Sequence, residues 1–474
     1  IGNETRYHSP GDNIAALDRD SLSEMGSEVL ASTHSLAADS NPAAAGNGRV
    51  VFTDLGGRFL IRMPLVVAAT ALGLLLAIGF LLAWRSKSLG KPLLSAAAMA
   101  VGGIAAAWFG SFTLTMMRAG DFWRAYPLVA YLAVYALMLF GMSLVHSRMG
   151  RAISREQFRT AAWLLVLLFG AALSLLLPGA TIFFLIAPAI ALGGIALWSR
   201  FRALGSALVI AAIVLQFVMF AELLSAIEML LIDGPLWAVA PLGALAALTA
   251  IAEVDRNDLR SGLGLTFVAS LGFFVAALVM PRASSERPLG FSIDYFRDAE
   301  SNKASWGIAT KQAPLPANFP GRWHKGELPY NGRLRWIADA PLLPTPTPQA
   351  RVVVETPYGA GRRVRIALAT GGGNSIALRF PANAKVTALG LPGAAIPIPA
   401  HGEPDKAVLR CTGRSCDGMQ IEVLLGDRRS VTAELFSTRF GLPPEGQKLE
   451  AARPPNSQPQ YAPDSTITRT IFKL

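Results

Sequence analysis

PLVVAATALGLLLAIGFLLAW, residues 64–84, holds twenty-one positions without one charged side chain. That length matches the roughly 20 residues a helix needs to cross a hydrocarbon core of about 30 Å. Seven further apolar runs follow, at 93–115, 126–145, 160–177, 179–198, 204–223, 235–252 and 263–280. A lipid-exposed strand would leave its backbone groups unpaired, so each run reads as a helix. The reading is a mainly α polytopic protein with about eight transmembrane helices over residues 63–281. Leu177-Pro178-Gly179-Ala180 is the tight turn that divides the fourth helix from the fifth.

Composition agrees. Of 474 residues, 52% are hydrophobic and 16% charged, against about 25% charged in soluble domains. The formal net charge of +11 would suit nucleic acid if it were clustered, but it is spread over loops. After the odd-numbered helices come Arg85, Lys87 and Lys91, then Arg148, Arg151, Arg155 and Arg159, then Arg200 and Arg202, and then Arg256 and Arg260. After the even-numbered helices only Arg118 and Arg124 occur. Basic residues mark cytoplasmic loops, so the first set faces the cytoplasm. The charge is a topology signal, and no nucleic-acid partner is implied. An even helix count then places both ends of the chain outside the cytoplasm, in the periplasm or an organelle lumen.

Residues 282–474 change character. Val364, Ile366 and Leu368 alternate with arginines, and Ile376, Leu378 and Phe380 alternate after Gly371-Gly372-Gly373-Asn374. Strands flank that glycine stretch and no helix follows, so it reads as a hairpin turn rather than a phosphate loop. With a further strand at Val431, Ala433 and Leu435, the expectation is an extracytoplasmic antiparallel β-sandwich. Trp306, Trp323 and Trp336 read as its core. The chain's two cysteines, Cys411 and Cys416, sit between alternating segments that read as a hairpin. A disulfide across its neck suits an oxidising compartment. A zinc site is the alternative, with the distant His401 as its only imidazole nearby in sequence.

Upstream of the membrane region, Pro10-Gly11 and Asp12-Asn13 set His8 on a loop. Ser21-Leu22-Ser23-Glu24 has the form of a capping box. Leu22, Met25, Val29, Thr33 and Leu36 then share a helix face. Residues 37–49 look like a linker, and Phe52-Thr53-Asp54-Leu55-Gly56 leads to the first membrane helix.

Tyr7-His8-Ser9-Pro10-Gly11-Asp12-Asn13, the helix after it, and the membrane region and β domain beyond form a recognisable order. It resembles the membrane-bound branch of the di-zinc aminopeptidase family, of the endoplasmic-reticulum metallopeptidase and vacuolar membrane protease type. The resemblance covers the order of parts over nearly the whole chain, while its specific motif spans only residues 7–13. In that family a Tyr-His-Thr/Ser-x-x-Asp loop supplies the last zinc ligand. The resemblance therefore implies His8 as a ligand in a two-zinc site and Asp12 as a supporting residue behind it. It further implies a C-terminal portion of a membrane-anchored exopeptidase that hydrolyses peptides outside the cytoplasm. Residues 1–45 would then end an α/β zinc-peptidase domain, with 46–62 a linker. The other ligands and the general base match nothing here. Ile1 in place of Met reads as a cut, and the fragment alone is expected to be inactive.

Taken alone, His8 reads as a solvated loop side chain. Glu222 and Glu228, with Asp233 close by, are the intramembrane carboxylates, and such groups are functional candidates. Their position near the outer end of the sixth helix favours interfacial residues. A transporter or channel-like protein with an exported β domain is the reading that uses them. A noncatalytic membrane scaffold is a third. Gly102-Gly103 suggests close helix packing. Beyond peptide substrates and the lipid bilayer the residues name no partner, and they set no oligomeric state.

Overall fold

The computed structural model describes residues 5–41, 48–56, 59–149, 153–231, 234–310, 314–398 and 407–474. Arg151, Asp233 and His401 lie outside them, as does the stretch 42–47 of the expected linker. The described residues divide into two compact units. One runs from Leu17 to Arg282; the other joins the stretch up to Ala16 with Ala283–Leu474.

The first unit begins with α1, Arg19–Ala38. Its N-cap is Asp18, whose carboxylate accepts from the Ser21 amide at 2.8 Å, not Ser21 itself. Asp caps as well as Ser, and the earlier one wins. The expected apolar stripe forms but is open to solvent, with Leu22, Met25, Val29 and Leu36 all more than half exposed.

The expected linker carries a β-hairpin instead of plain coil, β1 (Val50–Leu55) against β2 (Phe59–Pro64). Val51 is 2% exposed and packs with Ala68, Leu72 and Trp163 of the membrane helices. Period-2 alternation had been hidden by Phe52 and Phe59, which point outward and are two-thirds exposed.

Seven helical spans are long and apolar enough to cross a membrane among the described residues. They are α2 (Leu65–Arg85), α3 (Lys91–Met117), α4 (Pro127–Met149), α5 (Arg155–Leu176), the stretch Pro178–Leu197, a long helix Arg202–Leu230, and Gly262–Val279. Pro178–Leu197 opens as a 3-10 helix, Pro178–Phe184, before α6, Ile186–Leu197. The long helix is α7; Gly262–Val279 belongs to α9, Arg256–Val279, and α8 between them is Ala240–Ile251. The eighth apolar run is thus the exception. It forms only the shorter helical stretch Leu236–Ile251, and most of its residues are buried.

Small residues let these helices approach. A Cβ on Gly103 would lie 2.4 Å from Met142, and one on Gly141 would lie 2.7 Å from the Gly102 carbonyl oxygen. At the α6–α7 crossing, Gly194 and Gly205 each face the other's carbonyl, where a Cβ would come to 2.8 Å. Backbone cannot yield as a side chain can. Gly194→Ala is therefore expected to cost about 1–3 kcal/mol, read as a lower melting temperature in detergent. Gly193→Ala, where no atom lies within 4 Å, should leave that temperature unchanged.

The second unit is built on β3 (Leu289–Gly290), β4 (Ser292–Asp298), β5 (Lys303–Ala309), β6 (His324–Leu328), β7 (Asn331–Asp339), β8 (Gln349–Tyr358), β9 (Gly361–Ala369) and β10 (Ser375–Arg379). It continues with β11 (Val386–Leu391), β12 (Ala394–Pro397), β13 (Val408–Thr412), β14 (Gln420–Leu425), β15 (Thr432–Phe440), β16 (Ser457–Gln458) and β17 (Ser465–Lys473). An eight-stranded sheet runs β13-β10-β15-β17-β4-β5-β7-β6, and a five-stranded sheet runs β12-β11-β14-β9-β8. Val364, Ile366, Val423 and Leu425 of one sheet share a buried cluster with Ile376, Leu378 and Leu435 of the other. Trp306 is buried, and Trp323 and Trp336 pack against its cluster.

Three expectations change here. β9 and β10 lie in different sheets, so Gly371–Asn374 is a crossover and not a hairpin turn. Its geometry demands glycine: Gly371 has φ +64°, and a Cβ there would reach 2.6 Å from the Thr347 carbonyl oxygen. β13 and β14 also belong to different sheets, so no hairpin spans the cysteines. The Cys411–Cys416 disulfide ties the end of β13 to a short 3-10 turn, Arg414–Cys416. Finally, the large sheet is mixed, because β17 runs parallel to β4. Alternation gives a strand's faces but not its neighbour's direction.

Candidate functional site

The loop around His8 belongs with the β domain. Ser9 and Asp12 donate backbone amides to the carbonyls of Arg6 and Ser9, at 3.1 and 3.0 Å, and fold the segment into consecutive turns. The Ser9 hydroxyl donates to the Arg6 carbonyl at 2.6 Å and accepts the Gly11 amide at 3.2 Å. His8 itself has φ +52°, a left-handed conformation that costs a non-glycine residue about 1–3 kcal/mol and persists where its surroundings enforce it.

Those surroundings are three residues from the far end of the sequence. The Tyr461 amide donates to the His8 carbonyl at 2.8 Å, and Tyr461 is also left-handed, φ +64°. The Gln460 side-chain amide, 6% exposed with its residue, donates to the Tyr7 carbonyl at 3.2 Å. The Gln458 side-chain amide donates to Ser9 Oγ at 2.7 Å. Above this backbone contact the Tyr7 and His8 rings stack with centroids 3.8 Å apart, and Tyr461 meets both edge-on at 6.3 and 6.0 Å. The His8 side chain is exposed.

Chemically, the arrangement offers one presented imidazole. Zinc takes three or four convergent ligands, and no group of three His, Cys, Asp or Glu side chains that could hold a metal occurs among the described residues. Asp12 is exposed and takes part in the loop through its amide. The described residues therefore do not by themselves form a zinc site, and no metal-dependent step follows from them. Both cysteines are in the disulfide, which removes the alternative of a thiolate site.

The two intramembrane carboxylates each have a structural partner. Glu222 of α7 accepts the Gly56 amide at 2.6 Å, which caps the turn of the β1–β2 hairpin, where Gly56 has φ +65°. Glu228, further along the same helix, accepts from the Tyr135 hydroxyl of α4 at 2.5 Å, and its carbonyl accepts from Tyr131 at 3.1 Å. The two carboxylates thus serve different contacts and are not gathered into one site.

The interior of the β domain holds a cluster of charged groups around Asp294. Asp294, 7% exposed, accepts from Arg335 at 2.6 Å and from the Tyr330 hydroxyl at 2.5 Å. Asp464 beside it accepts the Ile293 amide at 2.8 Å and pairs with Arg453. Burial pushes the Asp294 carboxyl up against the pull of Arg335. Burial, and then the Asp294 charge, push the Tyr330 hydroxyl up. The network joins β4 to β7 inside the sheet and reads as structural.

Gln458, Gln460 and Tyr461, which contact the His8 loop, were not legible as its partners in the sequence. Nothing in Gln-Pro-Gln-Tyr marks it as the partner of a loop 449 positions earlier. Compared with known proteins, the chain matches no family model, no curated protein and no solved structure.

Proposed function

We propose that the chain is the C-terminal portion of a membrane-anchored zinc exopeptidase of the aminopeptidase type, to which it contributes His8 as one metal ligand. The observation that carries this reading is the presentation of His8. An exposed imidazole projects from a left-handed backbone on a loop that is tied down on both sides, an expense that a merely solvated side chain does not require. The remaining ligands and the general base would come from residues that the described chain does not supply. Peptides are the proposed substrates, and the C-terminal unit is proposed to be a β-sandwich, supported by the cluster shared between its sheets.

The proposed topology has both flanks of the membrane region in one non-cytoplasmic compartment, periplasm or organelle lumen. It is supported by a single compact unit that contains residues from before α2 and after α9, since an even number of crossings keeps both on one side of a bilayer. On this reading Leu236–Ile251 joins the seven long spans as an eighth crossing. Its sixteen residues give about 24 Å as an α-helix, short of about 30 Å, but its burial among other helices removes the need to meet lipid along its whole length. The Lys and Arg distribution supports the non-cytoplasmic placement of both flanks.

The test is hydrolysis of aminoacyl anilides by the complete gene product in detergent, before and after chelation. His8→Ala is expected to lower activity by roughly 100-fold or more, since even partners behind a zinc ligand are worth 10–100-fold. A chelator-resistant or His8-independent activity would remove the peptidase reading.

A further inference from the structure

We infer that the C-terminal β domain is the holder of the His8 loop, with Gln460 and Tyr461 as positioning residues that set the backbone of Tyr7 and His8. The inference deepens the proposed function and rests on it for what His8 does, but not for where His8 is held.

Three observations carry it. First, the contacts are to backbone carbonyls of consecutive residues. Gln460 donates to Tyr7 and the Tyr461 amide donates to His8, so together they define the peptide geometry from which the imidazole projects. Second, the donors are themselves immobilised. The Gln460 backbone amide donates to Ser292 Oγ at 3.2 Å, Ser292 being 5% exposed, and Gln458 lies in β16, which pairs with β3. The loop is docked onto a framework that is already fixed. Third, two non-glycine residues in left-handed conformations, His8 and Tyr461, meet through one hydrogen bond. Each conformation is unfavourable alone, and such a pair survives only where the fold specifies both. Ser9 Oγ, held by Gln458, in turn organises the turn that leads to Asp12.

The expected result is measurable without any activity. In the full chain in detergent, hydrogen exchange of the segment 5–12 should be slow, and Gln460→Ala should accelerate it about tenfold, as expected when buried carbonyls lose their donor. Gln460→Glu tests whether the amide acts as a donor or merely fills space. A carboxylate of the same size cannot donate to the Tyr7 carbonyl, so it should loosen the loop as much as Ala does; preserved protection would mean packing only and would overturn the assignment. Tyr461→Pro, which removes the amide hydrogen and forbids the positive φ, should act likewise. Tyr461→Gly, which keeps both, should leave the segment protected. Peptides from β9 and β14 report whether the domain itself remains folded. Equal, rapid exchange of 5–12 in the wild type and all variants, with β9 and β14 protected, would refute the holder.

The two ideas fail separately. If Gln460→Ala loosens the loop while the complete gene product's activity ignores His8, the holder stands and the peptidase reading falls. If His8→Ala abolishes activity while Gln460→Ala and Tyr461→Pro leave loop exchange unchanged, the peptidase reading stands and the holder falls.

Discussion

Arg335→Met is expected to destabilise the β domain by about 3–5 kcal/mol, the usual cost of stranding one member of a buried ion pair. Arg335 is 5% exposed, and its guanidinium donates to Asp294 at 2.6 Å and also contacts the Tyr330 hydroxyl. Met fills a similar space but leaves the Asp294 carboxylate buried without its cation. The sign with pH follows. Burial already holds the Asp294 carboxyl above its ordinary value, and loss of Arg335 pushes it further in the same direction. A carboxyl raised in the folded state binds a proton on folding, so the variant is most stable below about pH 4, the unfolded value of aspartate. That stability is lost as pH rises through the folded value. Urea unfolding followed by tryptophan fluorescence at pH 4 and pH 8 measures it, and a deficit no larger at pH 8 would contradict the account. Asp294→Asn combined with Arg335→Met should recover much of the loss, because the stranded carboxylate is gone.

The second large effect lies in the membrane unit. Arg159 on α5 is 2% exposed and makes a two-pronged contact with Glu253, both oxygens at 2.5 Å. Its guanidinium also lies 3.8 Å from the centre of the Trp198 ring. One side chain thereby ties α5 to the turn after α8 and to the end of α6. Glu253→Ala is expected to cost about 3–5 kcal/mol, seen as loss of the folded peak in size-exclusion chromatography after heating in detergent. Trp198→Leu, which removes only the cation–π contact, should cost about 0.5–2 kcal/mol. Equal effects of the two variants would mean that Glu253 is not Arg159's essential partner. Arg155 and Asp255 form a second bridge at 2.5 Å, but it is largely exposed, and its loss should be hard to detect.

The membrane helices were legible because an uninterrupted apolar run of twenty residues admits one structure in lipid. The starts and ends of α2 and α5 follow the sequence reading to within a few residues, apart from the polar first turn of α5. Alternation likewise exposed β9, β10 and β14 as strands with buried faces. What alternation cannot carry is partnership. Gly371–Asn374 joins two strands and looks like a hairpin, yet the strands part into different sheets because each finds a better neighbour far along the chain. The candidate site divides the same way. The loop form around His8 was readable from its turn residues, whereas the residues that hold it are ordinary polar side chains whose role exists only in three dimensions. Glu222 illustrates the intermediate case, since its cost in an apolar helix was visible but its use as a cap on a hairpin turn was not.

The place of β17 between β15 and β4 sets a timetable for the protein's making. Gln458 is synthesised 449 residues after its partner Ser9. At about 5–20 residues per second, ribosomes need roughly 20–90 s to cover that interval. Throughout it the early loop waits while every membrane helix is made, and β4, once made and paired with β5, keeps one open edge until Ser465–Lys473 emerges. The sheet closes around its central strand only when Ser465–Lys473 arrives between β15 and β4.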